Sequence, residues 1–323
     1  MSEQHKIDRR EFILRGGAAA ALAAVAAGTG LYFHNRRLVP PRGGAVTIPS
    51  FAVDGAEGEM VIVHGTDGAK LVAAGLAELG GIERFIKPGD RVLVKPNCAF
   101  DRPPQLGATT SPDVIGEVVR QCRAAGGEVR VADNPINNPE GCFTKSGIGA
   151  AVNDAGGTVW LPDADLFGYT AIGDRRITGW DALVKPLKWA NKIVGVPTVK
   201  SHNLCRASLS MKNWYGLLGG GRNRLHQAIN EVISDLGMFI TPTLVVLDGT
   251  RILMTNGPTG GSTADVAPGN VVAVGTDQVA IDAFGAELLG LAPSDVTYLK
   301  LAEESGVGTR TRSELKRSKE VSL

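Results

Sequence analysis

Five apolar, strand-like runs in this chain each end on a polar or ionisable residue. RVLVKPN closes on Lys95 and Asn97, VRVADN on Asp133 and Asn134, IVGVPTVKSH on Lys200 and His202, TLVVLDG on Asp248, and VVAVGTD on Asp277. Runs this apolar belong in the centre of a covered parallel sheet. In an open parallel α/β sheet, ligands bind in the crevice beyond the carboxyl ends of the strands. One polar ending means little; five in the same topological place predict one shared site.

The rest of the chain supplies what such a sheet needs. Val61–His64 reads as a first strand, and residues 67–81 carry apolar positions at helical spacing before Val92–Lys95. Ser111-Pro112-Asp113 starts a helix, with a cap residue, a proline in the first turn and an acid favoured by the dipole. That helix stops at Gly126-Gly127, and a strand at 128–132 completes a β-α-β unit. Further helices are expected at 143–154, 222–239, 277–290 and 294–305, and strands at 158–161, 191–199, 244–247 and 271–274. Residues 168–190 read as an inserted hairpin with a Trp-bearing cover. The expectation is a doubly wound, mostly parallel α/β sheet with helices on both faces, in a single domain over 43–308. Within it 135–190 is a candidate cap, and 309–323 is a polar tail that should fray.

Charge and composition exclude several functions. Of 34 Lys/Arg and 33 Asp/Glu in 323 residues, seven and three fall in residues 1–42, which leaves a slightly acidic body and no electrostatic reason to expect nucleic-acid binding. Aromatic content of 5% argues against a base- or sugar-stacking platform. The N-terminus is different: Asp8-Arg9-Arg10-Glu11-Phe12-Ile13-Leu14 resembles a twin-arginine export signal, followed by an uncharged Ala/Gly-rich stretch from Gly16 to Phe33. Residues 1–42 are therefore expected to be a signal or anchor plus linker, recognised by the twin-arginine export machinery. A released periplasmic protein and one held on the periplasmic face of the inner membrane both fit, with membrane contact only through this segment. Cys98, Cys122, Cys142 and Cys205 show no metal or cluster spacing, so no iron–sulfur cluster is expected. Cys98 and Cys205 lie just past strand ends and are candidates for a nucleophile or ligand.

Several residues have the chemistry for such a site. A lysine at the end of a central strand, as Lys95 is, must be paired or face a cleft. Lys200 and His202, two apart, suit anchoring an anion beside a proton donor. Lys212 and Asn213 sit in an apolar, aromatic stretch that opens into Gly219, Gly220 and Gly221, whose backbone N–H groups suit an anion or simply form a hinge. His226 follows near a helix start, where the dipole favours a neutral imidazole. Gly257 and Gly260 bracket another loop able to meet an anion or to form a plain turn. Asp248 and Asp282 are carboxylates in apolar surroundings, suited to pairing a lysine or holding a divalent cation; Asp277 reads better as a helix cap. No P-loop, dinucleotide fingerprint or serine-hydrolase elbow is present.

With those residues in view, the chain resembles domain-of-unknown-function family 362. The resemblance rests on Val-Leu-Val-Lys95-Pro96-Asn97, Pro197-Thr-Val-Lys200-Ser-His202, Leu209-Ser-Met-Lys212-Asn213-Trp-Tyr-Gly216, Leu225-His226, Val-Leu-Asp248-Gly249, Gly257-Pro258-Thr-Gly260 and Gly275-Thr-Asp277-Gln-Val-Ala280-Ile-Asp282, across roughly residues 60–306. It implies an α/β domain, often exported and often fused to a ferredoxin-like four-iron module, whose cysteine run this chain lacks. The combined expectation is an exported enzyme acting on a small anionic carboxylate or phosphate. Lys95, Lys200 and Lys212 would orient the anion, Asn97 and Asn213 would donate to it, and His202 or His226 would act as acid or base. The alternative is a periplasmic protein that binds or delivers a ligand or cofactor without turnover.

Overall fold

A computed structural model describes residues 45–323, which form one compact unit. The expected export signal lies outside them, and no described helix is long and apolar enough to cross a membrane. In chain order the strands are β1 (Glu59–His64), β2 (Arg91–Pro96), β3 (Glu128–Val131), β4 (Thr158–Val159), β5 (Gly168–Ala171), β6 (Gly179–Ala182), β7 (Lys192–Val196), β8 (Thr198–His202), β9 (Arg206–Ser208), β10 (Leu244–Leu253), β11 (Val266–Gly275) and β12 (Arg317–Ser322). The main sheet runs β12-β1-β11-β10-β7-β2-β3-β4, with β8 beside β10 and β9 beside β8. Pairing is parallel from β10 through β7, β2 and β3 to β4, and between β1 and β12.

β11 is reversed, antiparallel to both β1 and β10. That corrects the premise of five equivalent strand ends: Asp277, just beyond β11, lies at the other end of the strands, near the start of β10. There it caps the helix Gln278–Leu288, accepting from Val279 and Ala280 N–H, as its sequence context suggested. Polarity at a strand end could not reveal the strand's direction.

The sheet separates two apolar layers. Val61, Val63, Val92, Val94, Leu244, Val246, Val272 and Val274 face one layer, under the helices Gly68–Glu78 and Pro112–Ala124. Their neighbours Met60, Ile62, Leu93, Val245, Leu247, Val271 and Ala273 face the other, against Ile229–Phe239, Gln278–Leu288 and Thr297–Glu304. This is the period-two alternation of a strand covered on both sides. The helix Gly68–Glu78 begins where the Asp67 carboxylate accepts from Lys70 N–H. Ser111 does not cap its helix by its side chain: its N–H donates to Asp248, and its hydroxyl meets Thr250 and Arg251.

Four further expectations are corrected. The run 191–199 is two strands split at Pro197, which has no N–H to continue a ladder; β10 passes from β7 to β8 at that point. Residues 222–228 are a 3-10 turn ahead of the α-helix Ile229–Phe239. The stretch 135–190 is not one cap. Its helices Pro139–Lys145 and Ile148–Asp154 lead to β4 in the main sheet, and only the β5–β6 hairpin stands apart. Asp235 ties that hairpin down by accepting from the N–H groups of Asp174, Arg175, Arg176 and Ile177. Finally, the polar tail does not fray: β12 pairs residue for residue with β1.

Candidate active site

Three of the strand ends do converge. β2, β3 and β8 deliver Lys95 and Asn97, Asp133 and Asn134, and Lys200 and His202 to one open cleft. The short helix Ser210–Asn213 and the turn after it close one wall with Lys212, Asn213, Tyr215 and Gly216, and the 3-10 turn 222–228 adds Arg222 and His226. This wall is pinned from behind. Trp214 donates from Nε1 to Gln278, and its ring lies where a side chain at Gly195 would stand.

Lys95 and Asp133 form an ion pair of 3.0 Å with both side chains at most 2% exposed. A charge this buried is stable only when paired and hydrogen-bonded, and both are. Lys95 Nζ also donates to Pro96 O and Asn213 Oδ1, while Asp133 Oδ2 accepts from Cys98 N–H. Burial holds the Lys95 ammonium below its ordinary range, against the pull of Asp133. Asn213 Nδ2 returns a bond to Lys95 O, and Asn97 Nδ2 donates to Asn213 Oδ1 at 3.2 Å, so both asparagines belong to the framework.

Lys200 is placed differently. Its Nζ donates to Asn97 Oδ1 at 2.9 Å and Ala108 O at 2.8 Å and lies over the Phe100 ring, so every contact is with a neutral group. Burial, then Lys212, lowers it to about 7. Lys212, partly exposed, has only the Tyr215 ring against its ammonium, 5.2 Å away, with no hydrogen bond or ion pair among the described residues. Arg222 donates to Tyr215 O, Leu218 O, Asn134 O and Pro135 O, stapling the end of β3 to the 215–218 turn.

The two histidines stack, with ring centroids 6.4 Å apart and planes 16° from parallel. His202 Nδ1 accepts from Leu204 N–H at 3.1 Å, so the proton of its neutral ring sits on Nε2. His226 Nδ1 lies 3.0 Å from Asn223 O. A carbonyl can only accept, so His226 carries its proton on Nδ1 and keeps a lone pair on Nε2. Burial, then Lys212 and Lys200, drives His202 down to about 3; burial and Lys212 also lower His226. Both rings are neutral at neutral pH. The pair thus offers one N–H hydrogen-bond donor and one basic nitrogen.

The remaining expected residues lie elsewhere. Asp248 is fully buried and outside the lining of the cleft, accepting from Ser111 N–H and from the N–H and hydroxyl of Thr250. Asp282, equally buried, accepts from Ser210 and Met211 N–H and so holds the start of the helix that carries Lys212. Neither carboxylate lines the cleft, and their oxygens are taken by N–H and hydroxyl donors; among the described residues no cluster of three or more His, Cys, Asp or Glu side chains is placed to hold a metal ion. Gly219 and Gly220 pack near Asp181 and Trp180 at the hairpin, away from the cleft. Gly257 donates to Ser201 Oγ and Gly260 packs on Leu253; only Pro258, between them, reaches the cleft. Cys98 and Cys205 are buried thiols, the first pushed up by burial and the second to about 12, which leaves neither as a thiolate.

Sequence reasoning counted Asp133 and Asn134 among the strand endings but gave them no role, and it left Tyr215 and Arg222 out of the site. Asp133 and Asn134 carried a signal, as the polar ending of VRVADN beside the lysine strand. Tyr215 and Arg222 carried none, because an aromatic in an apolar run and an arginine in a polar one are what core and surface usually hold.

The fold and the cleft together define a mostly parallel α/β domain with a cationic, histidine-bearing site at the carboxyl ends of its strands. The profile of the family described as domain of unknown function, DUF362, matches residues 92–287. The chain belongs to that family. It is 27% identical over 250 residues to the thylakoid-associated protein sll1697 of Synechocystis, covering 72% of this chain and 73% of that protein. Among solved structures it is similar to the lactate racemase apoprotein of Thermoanaerobacterium thermosaccharolyticum, with a TM-score of 0.39 and 12% identity over 75% of this chain. A Thermotoga maritima protein gives 0.40 and 11% over the same share. The chain spans 58% and 60% of those two structures.

Proposed function

We propose that the chain is an enzyme that moves a proton on a small anionic substrate, a carboxylate or a phosphate ester, and that it works outside the cytoplasm after twin-arginine export. The observation that carries the catalytic part is the pair of neutral imidazoles, held by Leu204 N–H and Asn223 O in opposite tautomers beside Lys212, whose ammonium has the Tyr215 ring but no hydrogen bond or ion pair among the described residues. Lys200 and Lys212 hold the anion; His226 Nε2 takes a proton from the substrate and returns it, or one exchanged with solvent, while His202 Nε2–H donates a hydrogen bond to the charge that develops on the substrate. A base that is unprotonated at neutral pH and a neutral donor that keeps its own proton suit a proton transfer that leaves the protein as it began. The Arg9-Arg10 pair supports the export part.

The test is exchange in heavy water. The purified protein is incubated with mixtures of small carboxylates and phosphate esters, and the pool is searched by mass spectrometry for a compound that gains deuterium. The expected result is one such compound, with His226→Gln and His202→Gln each slowing its labelling by about a hundredfold or more. Anion binding that survives in the His202→Ala, His226→Ala double variant, with no labelling by the unaltered protein, would instead support a binding or delivery protein.

A further inference from the structure

The charge inventory of the cleft says more about the anion, on the reading that an anion is what the cleft holds. Four cationic side chains line it, Lys95, Lys200, Lys212 and Arg222, and one carboxylate, Asp133. Asp133 is committed to Lys95 at 3.0 Å, so that pair is neutral as a unit. Among the described residues the direct contacts of the other three cations are with neutral groups: backbone carbonyls for Arg222, Asn97 Oδ1 and Ala108 O for Lys200, and the Tyr215 ring for Lys212. Like charges facing one another in a cleft are unfavourable, and each of the three is held below its ordinary range, by burial first and, for both lysines, also by another cation of the cleft, while Asp133 draws Lys200 and Arg222 part of the way back. A second donor is unmatched as well: Tyr215, 7% exposed and in the cleft wall, has a hydroxyl with no partner among the described residues.

We infer that the cleft takes a small dianion, two negative charges on one molecule, seated between Lys200 and Lys212 with the Tyr215 hydroxyl as a neutral donor. A monoanion compensates one ammonium and leaves the other facing Arg222 and Lys95. A dianion compensates both lysines, and Arg222, already saturated by four carbonyls, supplies background field without direct contact. Phosphate monoesters and dicarboxylates share this chemistry. Because Lys200 sits at about 7 in the free protein, a dianion that restores its charge draws in a proton when it binds in mildly alkaline solution.

The experiment is isothermal titration of the full chain at about pH 8 with sulfate, inorganic phosphate, succinate and acetate, each in two buffers of different ionisation enthalpy. The expected result is binding of at least one dianion about tenfold or more tighter than acetate, with a buffer-dependent heat that reports proton uptake. Lys212→Met should abolish the preference, and Lys212→Arg, which keeps the charge, should retain it. Acetate binding as tightly as every dianion overturns the dianion inference and leaves the small-anion reading standing. No binding of any of the four overturns both, and Lys212→Met keeping the unaltered chain's dianion preference overturns the dianion seat between Lys200 and Lys212.

Discussion

Gly216 shows how tightly the cleft floor is built. A Cβ there would overlap Asp133 Oδ1 and stand 2.6 Å from Lys95 Nζ, so the Lys95–Asp133 pair closes only because this residue has no side chain. Gly216→Ala should therefore push the pair apart and destabilise the protein by about 2 kcal/mol or more, since disrupting a buried pair exposes each charge to an apolar interior; urea unfolding measures it. His202 carries a second expectation. Its folded value, about 3, lies below the ordinary 6.5, so the unfolded chain binds a proton that the folded one refuses. Stability should then fall as pH drops from about 6.5 towards 3, and His202→Gln should flatten that slope in thermal unfolding followed against pH. At this scale much of the site was legible: a lysine or histidine at the end of an apolar strand is rarely neutral background. What was not legible was who pairs with whom. Nothing local ties Lys95 to Asp133, 38 positions on, and Asp248 looks in sequence just like the endings that do reach the cleft.

The element that carries Lys212 depends on a residue far from it in the chain. The helix Ser210–Asn213 is too short to hold itself in water, where isolated helices need about 12 residues or more. Asp282, on the helix Gln278–Leu288, supplies what it lacks by accepting from Ser210 and Met211 N–H. Asp282→Ala leaves two buried donors unsatisfied and should lower stability by about 2–4 kcal/mol. Hydrogen exchange at Ser210 and Met211 should speed up more than exchange in β2 and β7, and the deuterium-labelling reaction should weaken because Lys212 is no longer held. The sequence showed that Asp282 needed a partner, since almost every neighbour is apolar. It could not show that the partner is a pair of backbone N–H groups, because a carboxylate accepts from a cation, a metal or an amide with equal readiness.

On the scale of the whole molecule, β12 is the element local pattern missed. Its residues are mostly exposed and half of them charged, so neither alternation nor hydropathy marks a strand; it exists because β1 would otherwise present an open edge. Deleting residues 316–323 should leave the cleft's geometry intact, since none of its lining residues lies there, while lowering the thermal midpoint and promoting association through the freed edge of β1, readable by calorimetry and light scattering. The sequence by itself determined the layers, because runs such as Val92–Val94 and Leu244–Leu247 are apolar on both faces and the helices between them are apolar on one. It also determined that cations and histidines cluster at strand ends. Tertiary structure alone decided the direction of β11, the break at Pro197 and the split of the cleft's charges into one closed pair and three cations whose direct contacts, among the described residues, are with neutral groups. Strand direction, pairing and counter-charges are long-range properties: they are set by which surfaces exclude water together, and no window along the chain contains both surfaces.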